Sequence, residues 1–154
     1  MTSPLRLPLI AVVVFLPATV GLFAEEQKIS CGSLPSEVRA AFNKSFSRAS
    51  INGCAKDVEK GKTTYEIMSM EGEARRNVRF HADGKLMEVE ELIALSDVPE
   101  PAKQAVNKKY PGGEITLVEK GTRDTGVLYE FRLKHRSRLV EVYFDADGKE
   151  VTTK

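Results

Sequence analysis

Val78-Arg79-Phe80-His81-Ala82-Asp83-Gly84-Lys85 and Val142-Tyr143-Phe144-Asp145-Ala146-Asp147-Gly148-Lys149 are two versions of one phrase, 64 residues apart. In each, apolar residues alternate with polar ones and run into an Asp-Gly pair. That is a half-buried strand entering a tight hairpin turn, where glycine takes positive φ at no steric cost. Three further blocks share the offset. Leu34-Pro35 falls on Val98-Pro99, Phe42-Asn43-Lys44-Ser45-Phe46 on Val106-Asn107-Lys108-Lys109-Tyr110, and Tyr65-Glu66-Ile67 on Tyr129-Glu130-Phe131. Between the second and third blocks the match shifts to an offset of 60, setting Val58-Glu59-Lys60-Gly61 on Val118-Glu119-Lys120-Gly121. This implies compensating four-residue insertions in the loops around the first strand of each copy.

Each copy starts with a helix. Ser33 and Asp97 are N-cap candidates, Asp97 with Glu100 forms a capping-box pattern, and Pro35 and Pro99 fall in the first turn. Val38, Ala41, Phe42 and Phe46 recur at helical spacing, as do Ala102, Ala105, Val106 and Tyr110. Ser50 to Gly53 reads as the end of the first connecting loop, and Pro111-Gly112-Gly113 stops the second helix. Tyr129, Phe131 and Leu133, then Val140, Val142 and Phe144, alternate with polar residues as strands do. The fold class is α+β: two tandem repeats, each a helix followed by an antiparallel meander of three strands and a short fourth. They span 33–95 and 96–154.

Ahead of them, Leu7 to Ala24 is an uncharged run after Arg6, and charge begins at Glu25 and Glu26. This describes a secretory signal peptide over 1–24, cleaved after Ala24, with 25–32 as a short N-terminal segment. An uncleaved anchor is the competing reading, although the run is at the short end for a span and holds Pro8 and Pro17. The protein is therefore expected to be periplasmic or secreted, touching a membrane only through this segment if it is kept. In that oxidising setting Cys31 and Cys54, the two cysteines of the chain, read as a structural disulfide worth about 3 kcal/mol.

The 154 residues are 42 % hydrophobic, and 23 Lys+Arg stand against 22 Asp+Glu. Removing 1–24 takes away Arg6 alone and leaves 22 of each. No basic excess points to nucleic acid, and the composition is not that of a disordered chain. His81 and His135 are the only histidines and sit in different repeats. They read as strand or turn residues; a catalytic role would require them to meet across the repeats. No nucleophile elbow, phosphate loop or His-Glu-x-x-His is present, and Asp145-Ala146-Asp147-Gly148 lacks the ligands of a calcium loop. No enzyme, cofactor or metal site is expected.

The helix with its early proline, the Tyr-Glu-hydrophobic strand and the closing Phe144-to-Lys149 turn resemble the PepSY and PepSY-like (β-lactamase-inhibitor-like) family over about residues 33–154. Repeat one carries the weaker Phe80-to-Lys85 form. The resemblance implies an exported bacterial module that binds or restrains other proteins, with no catalytic residues. The partner expected is an unidentified envelope or secreted protein, met through the sheet face, hairpin loops and sheet edges. The alternative is an envelope sensor that binds a small ligand, a metal or a cell-wall fragment. Candidate contacts are Arg132, His135, Arg136 and Arg138, crowded with Lys134 on one hairpin, and Tyr143 as an anchor. Serine at Arg132, Arg136 and Arg138 is expected to weaken capture without lowering the melting temperature. Glu88, Glu90 and Glu91 read as a solvated strand edge.

Overall fold

The structure, a computed structural model, describes residues 27–152. The expected signal segment lies outside them. Nine strands form one antiparallel sheet in chain order: β1 (Gln27–Ile29), β2 (Ser50–Glu59), β3 (Lys62–Glu71), β4 (Ala74–His81), β5 (Leu86–Leu92), β6 (Glu114–Arg123), β7 (Gly126–His135), β8 (Arg138–Asp145) and β9 (Glu150–Val151). Helix α1 (Ser36–Ser45) joins β1 to β2, and α2 (Glu100–Lys109) joins β5 to β6.

The two helices cover the same side of the sheet. Val38 and Phe42 of α1 pack with Leu34, Cys54, Ile67, Val78 and Phe80. Ala102 and Val106 of α2 pack with Val98, Val118, Tyr129, Phe131, Leu133, Val142 and Phe144. Cross-strand pairing carries one face continuously from Val78 through Val89 to Thr122, two residues along β6 from Lys120 and four from Val118. The period of two then puts the intervening residues on the opposite, open face.

Each helix begins later than its sequence pattern predicts. Ser33 and Asp97 close 3-10 turns at Cys31–Ser33 and Leu95–Asp97, and neither caps a helix. A residue before proline is driven out of the α region. Leu34 and Val98 are accordingly extended, with ψ 142° and 136°, and both are buried. The helices start after Pro35 and Pro99 with no side-chain cap, so the Asp97–Glu100 box does not form.

The repeat keeps one offset throughout. Cys54 pairs with Ile67, Val118 pairs with Phe131, and both partners are 64 apart; β2 and β6 also bulge at the same place, between Ile51 and Gly53 and between Ile115 and Leu117. This corrects the 60-residue offset and its compensating insertions. The similar quartets at 58–61 and 118–121 are not equivalent, because register follows which residues face the core. Ser50 to Gly53 likewise belongs to β2 rather than to a loop. The fourth strand is long in repeat one and two residues in repeat two. Residue 91 pairs with Lys120 as Gln27 pairs with Lys56, so the end of β5 stands to β6 as β1 stands to β2. One strand thereby closes the first repeat and opens the second.

The Asp-Gly turns do more than reverse the chain. Gly84 and Gly148 have φ of 82° and 81°. A Cβ on either would stand 2.7 Å from the Glu37 carbonyl oxygen or 2.6 Å from that of Pro101. Each turn thus lies against the first turn of its helix, and only glycine fits there.

Candidate functional site

Among the described residues no layer covers the open face, yet Glu66, Glu88 and Glu130 are buried on it. A buried carboxylate needs a partner, and arginines supply most of them. Glu66 faces Arg79 on β4, Arg79 faces Glu88 on β5, and Glu88 faces Arg123 on β6. Arg79 Nη2 donates to Glu66 Oε2 at 2.8 Å, and Arg123 Nε donates to Glu88 at 2.5 Å. Burial works against the Arg79 charge, but Glu66, Glu90 and Glu88 more than offset it and hold its pKa above the ordinary value.

Glu90 lies one pleat further along β5, opposite Asn77 and Gly121. Burial and then the neighbouring Glu88 charge push its carboxyl up to about 7, with Arg79 pulling the other way. A Cβ on Gly121 would stand 2.9 Å from Leu128 and 3.2 Å from Glu88. Those two side chains therefore fold over bare backbone, which explains their burial without a second layer.

In repeat two a single arginine serves several acids. Arg132 Nε donates to Glu130 at 2.6 Å, and its guanidinium is 3.4 Å from Glu119 and 3.3 Å from Glu141. Burial raises the Glu130 carboxyl and Arg132 opposes it. The Tyr143 hydroxyl donates to Glu141. Beside this cluster lies a groove of about 570 Å³, lined by Thr116, Leu117, Arg132, Leu139, Val140 and Glu141.

The expected basic patch is therefore divided. Arg132 is committed to carboxylates on the open face. His135 stacks edge-on against Tyr110, 5.6 Å between ring centres, on the helix side. Arg136 and Ser137, both at positive φ, form the β7–β8 turn, and Arg138 opens β8 opposite His135. Tyr143 is on the open face opposite Glu130. His81, opposite Thr64, is on the open face too, so the histidines lie on opposite sides of the sheet. The acidic run is also divided. Glu91 bonds Arg76 on the helix side, and β5 is an interior strand rather than an edge. Among the described residues, no three His, Cys, Asp or Glu are grouped to hold a metal ion. Cys31 and Cys54 are joined by a disulfide.

Sequence reasoning passed over Glu66, Glu119 and Glu130. Their signal was present in the alternation, since each takes the position opposite the core-facing residues of its strand.

A family model described as "Putative beta-lactamase-inhibitor-like, PepSY-like" matches residues 23–74 and again 63–151. The chain belongs to the PepSY-like family. Two matches to this PepSY-like protein, covering most of the described sheet, agree with the repeat. Its fold is shared with a "putative periplasmic" protein of Bacteroides eggerthii, at TM-score 0.63 and 16 % identity over 77 % of this chain and 86 % of that one. It is also shared with a BLIP-like protein of Bacteroides fragilis, at TM-score 0.61 and 17 % identity over 78 % and 85 %. Among curated proteins none matches in sequence. Among the described residues of this PepSY-like chain, no helix is long and apolar enough to cross a membrane.

Proposed function

We propose that this PepSY-like protein is an exported, non-enzymatic binding or inhibitor-like module that engages another protein through its open sheet face and hairpin loops. It works in the periplasm or outside the cell after cleavage near Ala24. The observation that carries the reading is the uncovered sheet face, where paired and unpaired charges and exposed Leu139 share one surface. A layered domain normally buries each sheet face or leaves it polar, and this face does neither completely. The BLIP-like description of the Bacteroides fragilis neighbour supports the inhibitor-like side. The groove beside Leu139 favours a small ligand, but it is open to solvent along the sheet rather than enclosed.

Affinity capture with residues 25–154 from envelope extract of the source organism tests the reading. One dominant protein, retained in stoichiometric amount and lost at high salt, is the expected result. A folded bait that retains no protein overturns it and turns attention to ligands for the groove.

A further inference from the structure

On the open face the charges do not balance locally. Glu66, Arg79, Glu88 and Arg123 satisfy one another across β3 to β6. Arg132 is shared by Glu119, Glu130 and Glu141. Two carboxylates on the same face stand outside these pairs. Glu90 makes no hydrogen bond or ion pair among the described residues, and it is half-buried beside Glu88. Asp57 Oδ1 is buried with no hydrogen-bond partner among the described residues, in a small hollow with Thr64, Glu66 and Arg79. Leaving buried carboxylates unpaired is costly, and a cation brought from outside relieves that cost.

The same face carries an apolar site. Leu117 and Leu139 line the groove beside Arg132, and Leu139 is 82 % exposed. Along β6, Leu117 is four residues from Gly121, the residue opposite Glu90. At about 3.3 Å per strand residue Gly121 and Leu117 are about 13 Å apart, and Glu90, one strand spacing to the side of Gly121, is about 14 Å from Leu117. Side chains four residues apart on an extended chain point the same way and span the same distance.

We propose that the open face docks an extended basic segment of a partner protein, setting a lysine or arginine on Glu90 and a large aliphatic side chain in the Leu117–Leu139 groove four residues away. This rests on the protein-binding reading above and names the chemistry of its partner. A cation at Glu90 selects the ionised carboxylate, so docking releases a proton where Glu90 is still protonated. The groups sharing the face around it are Arg75, Asn77, Arg79 and His81 from β4, Glu66 from β3, Glu88 on its own strand, Glu119 and Arg123 from β6, and Glu130 from β7.

The test is selection of random ten-residue peptides displayed on phage against the purified protein, with Glu90→Gln and Leu139→Ser as comparators. Both variants are checked for a single cooperative melt, as the parent shows. The expected peptides carry Lys or Arg four residues from Leu, Ile or Met. Glu90→Gln loses the basic preference and Leu139→Ser the aliphatic one. A selected peptide binds about tenfold more tightly at pH 8 than at pH 6, because only the ionised fraction is competent, and Glu90→Gln flattens this change. Peptides selected without a basic preference, or with affinity indifferent to Glu90→Gln, overturn this inference and leave the protein-binding reading standing. A folded protein that enriches no peptide overturns that reading as well.

Discussion

The two repeats solve one packing problem with different residues. At equivalent positions, Phe42 on α1 faces Ile67 in repeat one, whereas Val106 on α2 faces Phe131 in repeat two. The large ring has moved from helix to sheet. Val38 and Ser69 likewise correspond to Ala102 and Leu133, with bulk again exchanged across the layer. What is preserved is summed volume rather than residue type, as close packing requires. A second exchange concerns covalent support. Cys54, bonded to Cys31, stands where repeat two has buried Val118. The third lies on the open face. Glu66 and Glu130 are equivalent and buried, but Glu66 takes its arginine from the next strand and Glu130 from two residues along its own. The Tyr-Glu-hydrophobic pattern therefore records a core tyrosine, a buried acid on the other face, and a second core residue.

Cutting the large ring is the strongest way to break the comparison. Phe42→Ala and Phe131→Ala, both with 1 % exposure or less, should each cost about 3–5 kcal/mol in urea unfolding. Because β5 pairs with both halves, one shared transition should move in either variant. Two transitions, with each variant shifting only its own, would show the repeats to be energetically separate. Next is the disulfide. Cys31→Ser with Cys54→Ser should cost about 3 kcal/mol. Cys31→Leu with Cys54→Val, which copies Leu95 and Val118, should recover part of this; calorimetry under identical buffer distinguishes them.

Arg132→Ser strips a buried acid of its partner and should cost about 1–3 kcal/mol. Arg136→Ser and Arg138→Ser, at the turn, should stay within about 0.5 kcal/mol. Equal melting temperatures for the three would contradict the ion-pair geometry. Glu90 carries an effect that depends on pH. Its raised pKa means that the folded chain holds the proton more tightly than the unfolded one. That contribution is complete below the ordinary carboxylate range and is lost as pH rises through about 7. Glu90→Gln should flatten the stability profile between pH 5 and 8, and should be more stable than the parent at pH 8 by of order 1 kcal/mol, given a partly exposed, solvent-screened group.

Much of the architecture is legible in the chain because it is local and repeated. Helical spacing at Val38, Ala41 and Phe42, strand alternation at Tyr129, Phe131 and Leu133, and the Asp-Gly turns each follow from short-range stereochemistry. The errors arose where a distant contact outranks local preference. Ser33 and Asp97 have the chemistry of caps, but the following prolines hold Leu34 and Val98 extended in the core and delay the helices. Four similar letters implied a 60-residue offset, yet the faces of β2 and β6 are set by Ile67 and Phe131 across the ladder.

The sequence by itself determined the repeat, its element types and the pairing of its two cysteines, since periodicity, turn chemistry and composition act over a few residues or over the whole chain. Only the tertiary structure decided that β5 is interior to one continuous sheet, that both helices share a side, and that Arg132 answers to acids rather than to a basic patch. Those outcomes depend on which strand lies beside which, and neighbours across a ladder are not neighbours in the chain.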